Sequence, residues 1–105
     1  MDRDAIADIG IDEKGRLYVA PQTKTFPFIY REALEVNWDD KGHYLHAPPP
    51  PRAQLATPIW WFKQIISAAR VQGCELCIEP HTKWHNITPQ LKEDRHGEGW
   101  WQVST

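Results

Sequence analysis

The chain has little of anything that would place it by chemistry alone. Its formal charge is only −2 with the histidines neutral, so no global field draws a phosphate backbone towards it, and nucleic acid is not an expected partner. It has no apolar run long enough to span a bilayer, so no membrane partner is expected either. The opening Met1-Asp2-Arg3-Asp4 is the reverse of the basic and then apolar start of a secretion signal. The expected setting is therefore cytoplasmic, where thiols stay reduced. With only two cysteines, Cys74 and Cys77, there is no disulfide framework. For the same reason the sequon Asn86-Ile87-Thr88 carries no glycan. Glycine is also scarce: the six residues are spent on turns and caps, and none forms a phosphate-cradling loop.

What the chain does have is the material of one folded domain: 105 residues, 41% hydrophobic and 25% charged, enough for a single core without staples. Charge is uneven along it. Residues 1–13 carry five acids against Arg3, and residues 14–31 carry Lys14, Arg16, Lys24 and Arg31 with no acid. Complementary charges on neighbouring strands account for that pattern.

The strongest structural signal is an internal repeat. Residues 7–21, ADIGIDEKGRLYVAP, recur at an offset of 27 as residues 34–48, LEVNWDDKGHYLHAP. Each copy alternates apolar and polar, turns on Asp-x-Lys-Gly and stops at Ala-Pro, the pattern of a β-hairpin. Gly15 and Gly42 are placed to take the left-handed turn position, and Pro21 and Pro48 to end each ladder. In the first hairpin a loop of Glu13-Lys14-Gly15 pairs Asp12 with Arg16, Ile11 with Leu17 and Ile9 with Val19. In the second, a three-residue loop sets Trp38 against Tyr44 and Val36 against His46. A four-residue loop sets Val36 against Leu45, and is preferred because it turns the leucine inward. Between the hairpins, residues 30–34 are suited to one helical turn.

After the polyproline stretch, Thr57 and Pro58 read as cap and first residue of a helix that Gly73 stops. Ile59, Phe62, Ile65, Ile66 and Ala69 share its core side, and Lys63, Gln64, Ser67 and Arg70 the other. Residues 74–79 alternate as a fifth strand, with Cys77 among outward glutamates, and Thr88-Pro89 opens a short helix to about Asp94. The expected fold is α+β: an antiparallel sheet of about five strands, two hairpins plus one later strand, with one main helix on one face and a short C-terminal helix. One domain spans residues 1–105. It divides into a double hairpin (1–48), a Pro-rich connector (49–56), a helix-strand-helix unit (57–95) and a tail (96–105).

Three constellations bear on function. Six tryptophans exceed what one small core buries, and Trp60, Trp61, Trp100 and Trp101 are the candidate anchors for a protein partner or a second copy. Tyr44, His46, His81, Trp84 and His85 could rim a small-molecule pocket between sheet and helix. Cys74, Cys77, His81 and His85 offer four zinc donors, but residues three apart on a strand point to opposite faces. No spacing identifies a catalytic group, and no cofactor is implied.

The strings IGIDEKGRLYVAP, FPFIYREALEVNWD and WWFKQIISAARVQGCEL resemble small bacterial proteins carried on mobile integron gene cassettes. The resemblance covers about residues 6–92 and rests on turns and core. It implies a compact, often oligomeric domain and carries over no activity and no site residue. The expected function is non-enzymatic binding of a protein or of itself, antitoxin- or immunity-like in kind. The alternative is a small-molecule-binding domain or minor enzyme, and the third reading is the zinc site.

Overall fold

The computed structural model describes residues 2–33, 35–49 and 58–87. In chain order these give β1 (Asp2–Ile11), β2 (Leu17–Pro21), a 3₁₀ turn (Ile29–Arg31), β3 (Asn37–Asp39), β4 (Tyr44–His46), α1 (Pro58–Val71) and β5 (Cys74–His85). The strands form one sheet in the order β3-β4-β2-β1-β5.

The first hairpin folds as the alternation requires. Ile11 pairs with Leu17 and Ile9 with Val19, and the Asp12 N–H donates to the Arg16 carbonyl at 2.9 Å. The Asp12 carboxylate closes the loop, accepting from the N–H groups of Lys14 and Arg16 at 2.9 Å each. Gly15 takes the left-handed position at φ 80°.

The second hairpin has the expected four-residue loop, but it sits one residue later in the chain, which moves the pairing register by two. Asp39 pairs with Tyr44 and Trp38, not Val36, with Leu45. Leu45 is fully buried, as expected of the inward leucine. The left-handed position falls on His43, at φ 60°, rather than on Gly42. Here the His43 N–H donates to the Asp39 carbonyl at 2.8 Å, so the loop closes over one more residue than in the first copy. Gly42 is required for a different reason: a Cβ there would lie 2.2 Å from the Tyr44 ring.

The fifth strand corrects the expectation of an antiparallel sheet. β5 pairs with β1 in parallel, Asp2 with Cys74 through Ile6 with Ile78, so the sheet is mixed. The cause is α1. β4 runs antiparallel to β2, and β2 antiparallel to β1, so β4 and β1 share a direction. A helix that lies back across the sheet returns the chain in that same direction, as in any helical crossover. Hairpin signals fix the direction of consecutive strands and are silent about a strand that follows a helix.

β5 also runs six residues beyond its expected end. It does so by bulging. Ile6 pairs with Ile78 and Asp8 with Lys83, so Glu79 to Thr82 stand opposite Ala7 alone. The Thr82 hydroxyl holds the bulge, donating to the Ile6 carbonyl at 2.6 Å and accepting from the Glu79 N–H at 2.9 Å. Pro80, which has no N–H, sits within it.

α1 begins at Pro58 and ends before Gly73, whose φ is 93°. Its side chains Phe62, Ile65, Ile66 and Ala69 join Ile6, Ile9, Val19, Leu45 and Leu76 in one core cluster, as the helical periodicity predicts. Thr57 as cap, the connector over residues 50–56, the helix from Pro89 to Asp94 and the tail over residues 96–105 lie outside the described residues.

Among the described residues, Asp4 is a buried carboxylate. Its oxygens accept from the N–H groups of Thr23 and Lys24 and from the Thr23 hydroxyl, at 2.9, 2.8 and 3.0 Å, tying β1 to the chain after β2. Burial opposes ionisation, but the bonds from Lys24 and Thr23 outweigh it and hold the carboxyl below its ordinary value. A depressed folded pKa gives stability that is complete above the unfolded value, about 4, and is lost as pH falls through the folded one. Asp4→Ala is therefore expected to cost about 1–3 kcal/mol near neutral pH and to flatten the acid limb of the stability curve. Denaturant titrations in steps down to about pH 3 measure both, and an acid limb as steep as the parent's would refute the assignment.

Candidate functional site

Strand register sorts the side chains of the sheet into two faces. Trp38, Leu45, Val19, Ile9 and Trp84 form one row across all five strands on the helix side. The adjacent row, pointing the other way, is Asn37, His46, Tyr18, Gly10 and His85. On this second face a polar and aromatic cluster assembles from β1, β2, β4, the end of β5 and the loop of the first hairpin.

Arg16 stands at its centre. The guanidinium donates to Asp12 Oδ2 at 2.8 Å and to the Tyr44 hydroxyl at 3.3 Å, and lies 3.4 Å from both ring nitrogens of His46. The Tyr44 ring is 5.6 Å from that of Tyr18 and 5.9 Å from that of His46, tilted in both cases. Tyr18 reaches along β1 to donate to Asp8 Oδ1 at 3.1 Å, and His85 meets the same oxygen at 3.2 Å. Gly10 makes room for this crossing: a Cβ there would lie 2.8 Å from the Tyr18 hydroxyl and 2.7 Å from the His85 carbonyl oxygen.

The electrostatics favour a standing network over a reacting one. Burial, with the Asp8 charge added, raises the Tyr18 phenol far above its ordinary value. Burial and the bond to Asp39 raise that of Tyr44, against the opposing charge of Arg16. Burial works against the Asp12 carboxylate, yet the bonds and charge from Arg16 keep it ionised. Both phenols stay protonated and the Arg16–Asp12 pair stays charged across the physiological range. Each of these groups is satisfied by a protein partner, which orders side chains without leaving a nucleophile beside a base.

The residues expected to rim a pocket between sheet and helix do not converge there. Tyr44, His46 and His85 lie on the face away from α1. Trp84 lies on the helix side, packed against the core. His81 sits in the β5 bulge, where its Nε2 meets Gln22 Oε1 at 3.1 Å. The helix side is filled by Phe62, Ile65, Ile66, Leu76 and Ile9. The four zinc donors are likewise separated. Cys74 points to the core, Cys77 to the opposite face, and no group of three or more His, Cys, Asp or Glu among the described residues is arranged to hold a metal ion. Cys77 is not the surface thiol that the alternation suggested. It is 5% exposed, with Arg3 Nη2 at 3.2 Å from its sulfur, because the long arginine side chain lies over it from the neighbouring strand.

The candidate partner anchors divide. Trp61 belongs to the core cluster at 6% exposure, and Trp60, edge-on to it at 4.9 Å, is 45% exposed. Trp100 and Trp101 lie outside the described residues.

Comparison with known proteins adds a family. The profile of the integron cassette protein Hfx_Cass5 matches residues 4–82. The chain belongs to the Hfx_Cass5 integron cassette family. A solved integron cassette protein Hfx_Cass5, from the mobile metagenome of the North West Arm sewage outfall, is 40% identical over 87% of this chain and 89% of its own, with a TM-score of 0.46. No curated protein matches. The Hfx_Cass5 match takes in most of the cluster, from Asp8 through His46, and ends at Thr82, three residues short of His85.

Two exposed rings escaped the sequence reading. Phe28 is 49% and Tyr30 54% exposed, flanking the buried Ile29 of the 3₁₀ turn. The signal was present in Phe-Pro-Phe-Ile-Tyr, where one turn cannot bury every large side chain. Arg16, Tyr18 and Asp8 were missed too, although each sits one residue away from an inward apolar position of the first hairpin. Since Gly10 carries the crossing of Tyr18, Gly10→Ala is expected to lower stability by about 1–3 kcal/mol and to shift the Tyr18 and His85 resonances. A thermal melt with NMR spectra of the variant would measure this; parent-like stability would refute the crowding.

Proposed function

We propose that this cassette protein is a non-enzymatic binding domain that associates with a second copy of itself or with another protein. The observation that carries the reading is the exposure of Phe28, Tyr30, Trp60 and Val71 around a core that is otherwise filled. A large aromatic side chain buries about 150–250 Å² when covered, so one left half-open forgoes on the order of 2 kcal/mol of hydrophobic stabilisation. Aromatic residues with that much unrealised burial are the usual energetic anchors of protein interfaces. The internally satisfied network on the sheet face supports the same reading, since it offers no activated group for catalysis.

Light scattering over a concentration series from about 10 μM to about 1 mM should show a defined dimer or larger assembly. Trp60→Ala should weaken it about tenfold or more, the loss of one interface anchor. A chain that remains monomeric throughout, indifferent to Trp60→Ala, would overturn self-association and leave only another protein as partner.

A further inference from the structure

The 3₁₀ turn between β2 and β3 is built as a pedestal. Phe26 and Ile29 are buried in the core, and Ala33 closes the segment behind them. Its backbone is held by Ile29 N–H to the Phe26 carbonyl at 3.1 Å, Arg31 N–H to Phe28 at 3.0 Å and Glu32 N–H to Ile29 at 2.9 Å. On this base three side chains are displayed together. The Arg31 guanidinium carbon lies 4.7 Å from the centre of the Phe28 ring and 5.9 Å from that of Tyr30. A guanidinium held against rings keeps the N–H donors of its planar edge for other partners.

Arg31 differs from the other described arginines in its partner. Arg3 and Arg70 pair with Glu75, and Arg16 with Asp12. Arg31 forms no ion pair among the described residues; its neighbours are rings. An arginine oriented by stacking, uncompensated in charge and flanked by half-exposed aromatics, is a bidentate carboxylate receptor whose ordering cost is already met by the turn.

We infer that the Phe28–Tyr30–Arg31 patch is a recognition surface for an acidic segment of a partner protein, in which Arg31 takes a carboxylate and the two rings cover the apolar residues beside it. The inference rests on the protein-binding reading above. Charge selects a carboxylate over a nucleic acid. A phosphate backbone needs several cations in register, whereas here a single cation is followed by Glu32, and the nearest lysine in sequence, Lys24, is engaged by Asp2 at 3.1 Å.

The test is an NMR titration of the full chain, ¹⁵N-labelled, with a capped Glu-Glu-Leu-Glu peptide, its lysine counterpart and a decathymidylate. The glutamate peptide should give saturable shifts confined to the segment around residues 26–33, and the lysine peptide none. Arg31→Gln should weaken binding about tenfold or more, while Arg31→Lys, which keeps the charge and loses the planar fork, should fall between. Both substitutions are at the surface, and the spectrum of each variant reports its fold directly. Binding of the glutamate peptide to Arg31→Gln at parent affinity would overturn the proposal, and so would equal shifts with the decathymidylate. If peptide binding is absent but the Trp60-dependent association persists, the acidic partner falls and the binding reading stands. If both are absent, the acidic partner and self-association fall together, and the binding reading keeps only another protein engaged elsewhere on the surface.

Discussion

The fold depends on the double engagement of β1. This one strand pairs antiparallel with β2 along its second half and parallel with β5 along its whole length. The first of these is local and written in a short turn; the second closes a separation of more than seventy residues. Loop-closure entropy makes the second the costlier contact. The burial of α1 on the sheet offsets that cost, because Phe62, Ile65 and Ile66 have nowhere to go until Leu76 and Cys74 are in place beside Ile6. Helix and fifth strand therefore belong to one cooperative unit, and the hairpins supply the surface on which it condenses.

The bulge at Ala7 and the larger one at Glu79–Thr82 have a geometric effect on the rest. β1 changes the parity of its side chains at that point, so Asp4 and Ile6 face the core before it and Ile9 and Ile11 after it, while β5 keeps Leu76 and Trp84 on the same side. Without the added residue on β1, Asp8 and Gly10 would turn inward and the row of His46, Tyr18, Gly10 and His85 would not exist. The polar network on the open face is thus a consequence of irregular pairing at the centre of the sheet.

How much of this was legible follows from which forces are local. Asp12, Gly15 and the Ile9–Val19 alternation specify the first hairpin completely, and register, loop length and left-handed residue all follow from them. The periodicity of Ile59 to Ala69 likewise gives the buried face of α1. The second copy of the repeat has the same Asp-x-Lys-Gly, yet it closes one residue later, because the Tyr44 ring folds over Gly42 and the strain passes to His43. That is a side-chain contact invisible to pattern. The parallel direction of β5 and the burial of Cys77 under Arg3 are set by elements far apart in sequence, and periodicity cannot report them. Of the candidate site residues, Trp60 was placed correctly at the surface by helical geometry alone. The rings of Phe28 and Tyr30 were not, since a 3₁₀ turn has too short a period to declare its outward side.

The proline in the β5 bulge bears on how such a domain survives in a crowded solution. β5 stands at one end of the sheet order and is its longest strand, twelve residues, a length at which an open rim readily templates further strands. Pro80 removes a donor from the middle of that rim, and the four bulged residues bend it, so that neither half offers a straight run of matching amides. The irregularity that positions the side chains of one face thus also guards the rim against fibrous stacking.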